Sequence, residues 1–183
     1  MARFPYLDPD DLPPEHRRLL DRPINLMREL AHSPEGARAF GVMGGFIRRG
    51  SKLDPRLREM AILQVGYLAR APYEWSHHVE IGREFGVSDT DIAAIGPETA
   101  GESTSLEPLA RAVLQAAREM TDGVQMSDAT WEELHAALDR ESLTDLVLTI
   151  AYYNAVVRIL ATLQIDVEPG YLHYLDEFPL PSA

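Results

Sequence analysis

Apolar positions recur along this chain at helical spacing, and the alternating apolar–polar runs that mark strands are missing. Two stretches are apolar nearly all round, residues 60–69 (MAILQVGYLA) and 146–163 (LVLTIAYYNAVVRILATL). A helix without a polar face belongs in a core. Punctuation divides the rest. Prolines set off short predicted helices over 13–21 and 24–32. Ser33-Pro34 opens a helix that Gly50 stops, Asp54-Pro55 opens one to residue 70, and Pro72 opens one to residue 85. Ser88 to Asp91 begins a short helix that Gly96-Pro97 is expected to stop, leaving 98–105 (ETAGESTS) as a loop.

Helices over 106–120, 128–138 and 143–165 follow. Ser127 caps the second, and Ser142 with Asp145 has the spacing of a capping box for the third. The tail, 166–183, carries Tyr171, Tyr174 and Phe178 among three prolines. It is too apolar to float and is expected to strap onto the domain or a neighbouring subunit. With no internal repeat or low-complexity tract, the prediction is one all-α domain over residues 1–183.

The 146–163 run is marginally long for a membrane span, and it contains Asn154 and Arg158. A central arginine costs about 2.5–3.5 kcal/mol on an insertion scale, so a buried central helix is the expectation. Seventeen Lys+Arg against 29 Asp+Glu give a net charge of −12. Such a surface repels nucleic acid and anionic membranes, which argues against both as partners. The chain has no cysteine, which excludes disulfides, thiol nucleophiles and Cys-ligated zinc. The N-terminal segment lacks the apolar core of a signal peptide, so a cytoplasmic protein is expected.

Residues 57–81 (LREMAILQVGYLARAPYEWSHHVEI) hold the chemistry. Glu59 is the one acid of the apolar helix and shares a face with Ile62, Leu63 and Gly66. An isolated buried charge is prohibitively costly, so this acid must be paired, hydrogen-bonded or protonated. Glu74 and His78 stand four apart on the next helix, one turn above the other. His78 falls within the apolar stripe of Trp75, Val79, Gly82 and Phe85, while His77 sits beside Tyr73 and Ile81. Two carboxylates and a histidine in an apolar pocket are the parts of a proton-transfer site. Arg158 is a candidate anchor for a substrate carboxylate, with Tyr73 and His77 as further binding candidates.

Other readings use the same residues. Glu74 in a first helical turn suits the helix dipole whatever its function. Glu59 is a possible buried partner of an arginine such as Arg158, and His78 a possible hydrogen-bonded core histidine. A divalent-metal enzyme built on Glu74, His78 and Glu59 is a further alternative. However, EWSHH is not HExxH, and side chains at adjacent positions point about a hundred degrees apart. The expectation is therefore no metal and no cofactor.

The segment LREMAILQVGYLARAPYEWSHHVEIGREFGVSDTDIAAI, within residues 55–95, resembles the core of the carboxymuconolactone decarboxylase / AhpD-like superfamily. The final helix with YYNAVVRIL agrees more loosely. The resemblance implies an all-helical fold around a helical hairpin, assembled as a homotrimer or homohexamer. The alkylhydroperoxidase branch uses a glutamate, then CxxC, then a histidine four residues beyond the second cysteine. On that spacing Glu59 and His78 match, Ala71 and Glu74 take the cysteine positions, and Tyr73 replaces a further histidine. Without either cysteine thiol, thiol peroxidase chemistry is disfavoured. What survives is similar to the cysteine-free, decarboxylase-like branch, implying a lyase on a small lactone or carboxylate with His78 or Glu74 as proton donor and Glu59 orienting or recharging it. A non-catalytic binding or structural oligomer of the same fold is the alternative.

Overall fold

The computed structural model describes residues 2–181, and among these there are helices and turns but no strands. Nine α-helices follow in order: α1 (Asn25–Leu30), α2 (Pro34–Arg49), α3 (Pro55–Leu68), α4 (Pro72–Glu84), α5 (Asp89–Thr99), α6 (Pro108–Asp122), α7 (Asp128–Ala137), α8 (Arg140–Leu163) and α9 (His173–Glu177). Proline opens α2, α3, α4 and α6, where its missing amide costs nothing and its fixed φ already suits the helix.

Helix α3 is the axis of the molecule. Every residue from Leu57 to Gly66 is buried, and α4, α5, α6 and α8 all pack around it. That packing explains the absence of a polar face in its sequence. Fully burying one leucine contributes about 1.5–3 kcal/mol, so the run around Met60, Leu63 and Val65 is a main source of stability. A tight turn reverses the chain into α4: Arg70 takes a left-handed conformation (φ 47°) and the amide of Ala71 donates to the carbonyl of Gly66. The resulting α3–α4 hairpin carries the candidate site.

Four expectations change. The 13–21 segment forms turns and a short 3₁₀ helix, Arg17–Leu20, in place of an α-helix. Helix α5 runs through Gly96-Pro97 to Thr99. Gly96 is there for close packing, since a Cβ at that position would meet the Tyr67 hydroxyl at 3.0 Å. The stop comes at Gly101, with φ +77°.

Helix α8 starts earlier than predicted, because the Asp139 carboxylate caps it by accepting the Ser142 amide at 2.8 Å. Asp145 instead accepts the Lys52 amide at 2.6 Å and the Ser51 hydroxyl at 3.1 Å, tying the α2–α3 loop to α8. Finally, α8 is only half a core helix. Leu143, Leu146, Ile150, Val157 and Leu160 face inward, while Ala151, Ala155, Arg158 and Thr162 are exposed. By length and composition alone it is long and apolar enough to cross a membrane.

The tail straps onto its own chain. Trp75 donates its indole N–H to the Phe178 carbonyl at 2.7 Å, Arg83 pairs with Glu177, and Tyr174, Leu175, Phe178 and Leu180 pack against the core. The last two positions of the predicted tail, 182 and 183, lie outside the described residues.

Candidate active site

The sequence pattern brings Glu59, Glu74 and His78 together. Glu59 sits one turn into α3, and His78 faces it from α4 with Nδ1 donating to Glu59 Oε2 at 2.6 Å. One turn earlier on α4, Glu74 Oε1 stands 3.0 Å from His78 Nε2, an ion-pair contact whose angle falls short of a hydrogen bond. On the far side, Arg58 Nε donates to Glu59 Oε1 at 3.0 Å. The order is therefore Arg58, Glu59, His78, Glu74. All four are buried, Glu59 at 1% exposure and Glu74 at 3%.

Alternating charges make this burial tolerable. Two carboxylates against an imidazolium and a guanidinium sum to zero, whereas any one charge alone would be strongly disfavoured. Burial by itself would lower the basicity of His78, but Glu74 and then Glu59 outweigh it and push the imidazole up to about 9. Burial likewise works to raise Glu59, and His78 with Arg58 overcomes it and holds the carboxyl below the usual range. At neutral pH His78 is thus a cation with a proton on each nitrogen. Among the described residues no group of three His, Asp or Glu side chains is arranged to hold a metal ion.

A cavity of about 260 Å³ opens beside this chain of charges, between α1, α2, α4 and α8. Glu59, Glu74 and His78 form one part of its wall, and side chains such as Leu26, Phe40, Ile47 and Val156 supply an apolar part. That mixture, a mostly apolar hollow with a few convergent polar groups, is the usual make-up of a small-molecule site. Arg22, Arg48 and Arg49 also line it, and none forms an ion pair with a carboxylate among the described residues. In a chain of net charge −12, these free cations create a locally positive cavity.

Tyr73 and His77 line the cavity too, but their polar ends are engaged elsewhere. The Tyr73 hydroxyl accepts from the Leu26 amide at 3.2 Å and donates to Glu168 Oε1 at 3.1 Å. His77 places Nδ1 2.8 Å from the Tyr73 carbonyl and Nε2 3.1 Å from Glu168 Oε2. Its ring is sandwiched between Tyr73 (centroids 4.1 Å) and Tyr171 (3.7 Å). Both residues are fixed walls.

Arg158 is not in the cavity. It lies on the exposed face of α8, where its Nη1 donates to the Asn154 carbonyl at 2.6 Å and side-chain oxygen at 2.7 Å. The helical period turns Tyr152, Tyr153 and Val156 towards the cavity, and Arg158 away with Ala151 and Ala155. The arginine beside Glu59 is its neighbour Arg58.

Sequence reasoning also missed Glu168, Tyr153 and the arginines of α2. Glu168 comes from the tail, ninety-four positions after Glu74, and only its place among aromatics hinted at a buried role. Arg48 and Arg49 looked like an ordinary basic helix end.

Residues 34–119 match the model of the Carboxymuconolactone decarboxylase family. No curated protein matches the chain. Among solved structures, an uncharacterized peroxidase-related protein with an alkylhydroperoxidase AhpD core, from Ralstonia eutropha JMP134, superposes with a TM-score of 0.80 at 20% identity, covering 93% of this chain and 94% of that one. A cysteine-to-alanine variant of the debrominase Bmp8, in complex with 2,3,4-tribromopyrrole, gives 0.79 at 20% identity, over 97% and 100%. An uncharacterized peroxidase-related protein from Silicibacter sp. TM1040 gives 0.78 at 19%, over 93% and 92%. Identities this low speak for the fold alone. Residues 34–119 carry the sequence signature of the carboxymuconolactone decarboxylase family on an AhpD-like helical fold, as the resemblance over 55–95 implied.

Proposed function

We propose that this protein is a cofactor-independent enzyme that moves protons on a small anionic substrate, a lactone or carboxylate, with decarboxylation as the reaction class. The observation that carries the reading is the buried series Glu59, His78, Glu74 ending on the cavity wall. His78 has both nitrogens committed, so Glu74 is the group that meets substrate. As the substrate loses CO2, an electron pair is left on carbon and needs a proton. The Glu74 carboxylate relays it to carbon from the His78 imidazolium, which solvent later reprotonates, and Glu59 with Arg58 steadies the histidine. Arg48 and its neighbours draw in and orient the anion, the role the sequence had offered to Arg158. Tyr73 and His77 shape the wall. No step calls for a metal or a thiol.

The enzyme is further proposed to act in the cytoplasm as a homotrimer or homohexamer, without nucleic-acid or membrane partners. Support for assembly comes from Val42 at 69% exposure and Phe46 at 39% on α2. Apolar surface of this kind is commonly covered by another copy. Sedimentation reports the assembly.

The reaction is tested by supplying carboxymuconolactone and related carboxylated lactones and following CO2 release. Turnover that falls about 10²–10⁴-fold in Glu74→Gln supports the reading. Equal turnover in that variant rules it out, and binding without turnover in the wild type points to the non-catalytic alternative.

A further inference from the structure

Three tyrosines line the cavity, and two have spent their hydroxyls. Tyr73 is tied to Leu26 and Glu168, and Tyr152 donates to the Phe40 carbonyl at 2.9 Å, close against Gly44. Tyr153 is different: its hydroxyl makes no hydrogen bond to any described residue. Its ring stands edge-on to His78, centroids 5.0 Å apart at 85°, which places it at the acid–base end of the cavity. Burial, then Glu74 and Glu59, press the phenol to keep its proton, which leaves it a donor at neutral pH. Tyr153 is half-buried and its hydroxyl keeps access to solvent, so a ligand oxygen in the cavity can take the place of water as its acceptor.

We propose that Tyr153 is a catalytic residue whose phenol donates a hydrogen bond to a substrate carbonyl oxygen and holds the enolate formed as Glu74 exchanges a proton with carbon. The inference rests on the Glu74 role above and narrows the substrates to enolisable carbonyl compounds. Glu74 takes a proton from the carbon beside the carbonyl. The C–H pair becomes the C=C bond of the enolate, and the carbonyl π pair moves onto oxygen, against the Tyr153 O–H. Where CO2 leaves, the broken C–C bond supplies that pair instead, and Glu74 gains its proton from the His78 imidazolium. Collapse of the pair from oxygen back through carbon takes a proton from Glu74 and restores the carbonyl. Charge and electrons balance without an oxidant. The donor acts where negative charge develops, the placement that most favours catalysis.

The test uses 4-nitrophenol, an enolate mimic whose absorbance separates phenol from phenolate, titrated into the full-length protein. Wild type is expected to bind it as phenolate. Tyr153→Phe should bind it about tenfold more weakly or worse, the loss of one hydrogen bond to a charged oxygen, with the melting temperature reporting an intact fold. Glu74→Gln, which mimics the protonated acid, should bind it more tightly. If Glu74→Gln tightens binding while Tyr153→Phe matches wild type, the Tyr153 inference fails and the Glu74 reading stands. If Tyr153→Phe weakens binding while Glu74→Gln leaves it unchanged, Glu74 does not meet the ligand and this enolate mechanism falls with it. Absence of phenolate binding in wild type overturns both.

Discussion

Glu59 on α3 and His78 on α4 meet at 2.6 Å across the helical hairpin, joining two core helices through buried charges. The contact is both a structural rivet and the inner half of a proton relay. Its two roles lead to separate measurements.

Stability should depend on pH through this contact. The folded His78 titrates near 9 against an ordinary value of 6.5, so its stabilising contribution is full below about 6.5 and is lost as pH rises towards 9. The loss is on the order of 3 kcal/mol at most. Glu59 is held below its ordinary value, so its contribution has the opposite sign: present above about 4.5 and lost as the solution is acidified. Urea unfolding across this range should show a plateau between the two limits and a decline on each side.

Glu59→Gln keeps the shape of the side chain and removes its charge. One of the two carboxylates that hold His78 protonated is lost, so the histidine should titrate lower. Arg58 is left buried without its acid, and a broken buried pair costs roughly 3–5 kcal/mol. Chemical denaturation and the histidine titration together check both parts.

Arg48→Gln removes a cation from the cavity wall that has no carboxylate partner. Only a cation–π contact to the Phe85 ring, 6.0 Å to its centroid, is lost, so stability should fall by no more than about 0.5–1 kcal/mol. Substrate KM should rise tenfold or so while kcat moves little, since the anchor acts alike on ground and transition states. A selective fall in kcat would place Arg48 in the chemistry instead.

Glu168→Ala should loosen the tail and the cavity wall at once. Glu168 accepts the Asn25 amide at 2.6 Å and the Tyr73 hydroxyl, and it faces His77. Burial favours its protonation, but contact with His77 and Asn25 prevails and keeps it ionised. Removing it leaves buried donors unpaired at about 1–3 kcal/mol each. Hydrogen exchange should rise at Asn25, Leu26 and the 165–172 segment, with α6 and α7 unchanged.

The sequence was most readable where one element decided the outcome. The apolar run of α3 identified the core axis, and a lone Glu59 within it required a partner, which EWSHH on the following helix supplied. Legibility ended where partners are distant in the chain. Glu168, Tyr153 and Arg48 reach the cavity from the tail, α8 and α2, and local periodicity does not say which turn of each helix faces it. Arg158 illustrates the point, since one residue of rotation separates the cavity face of α8 from its outer face. Gly96-Pro97 misled for a related reason: a breaker pair was tolerated because Gly96 allows Tyr67 to approach.

The most direct measurement is the nitrogen-15 spectrum of the His78 imidazole as a function of pH, assigned against His78→Gln. A doubly protonated ring at neutral pH, losing its proton only near 9, is the expected result. A neutral ring at pH 7 would mean that the cation between two acids does not exist, and the proton relay with it.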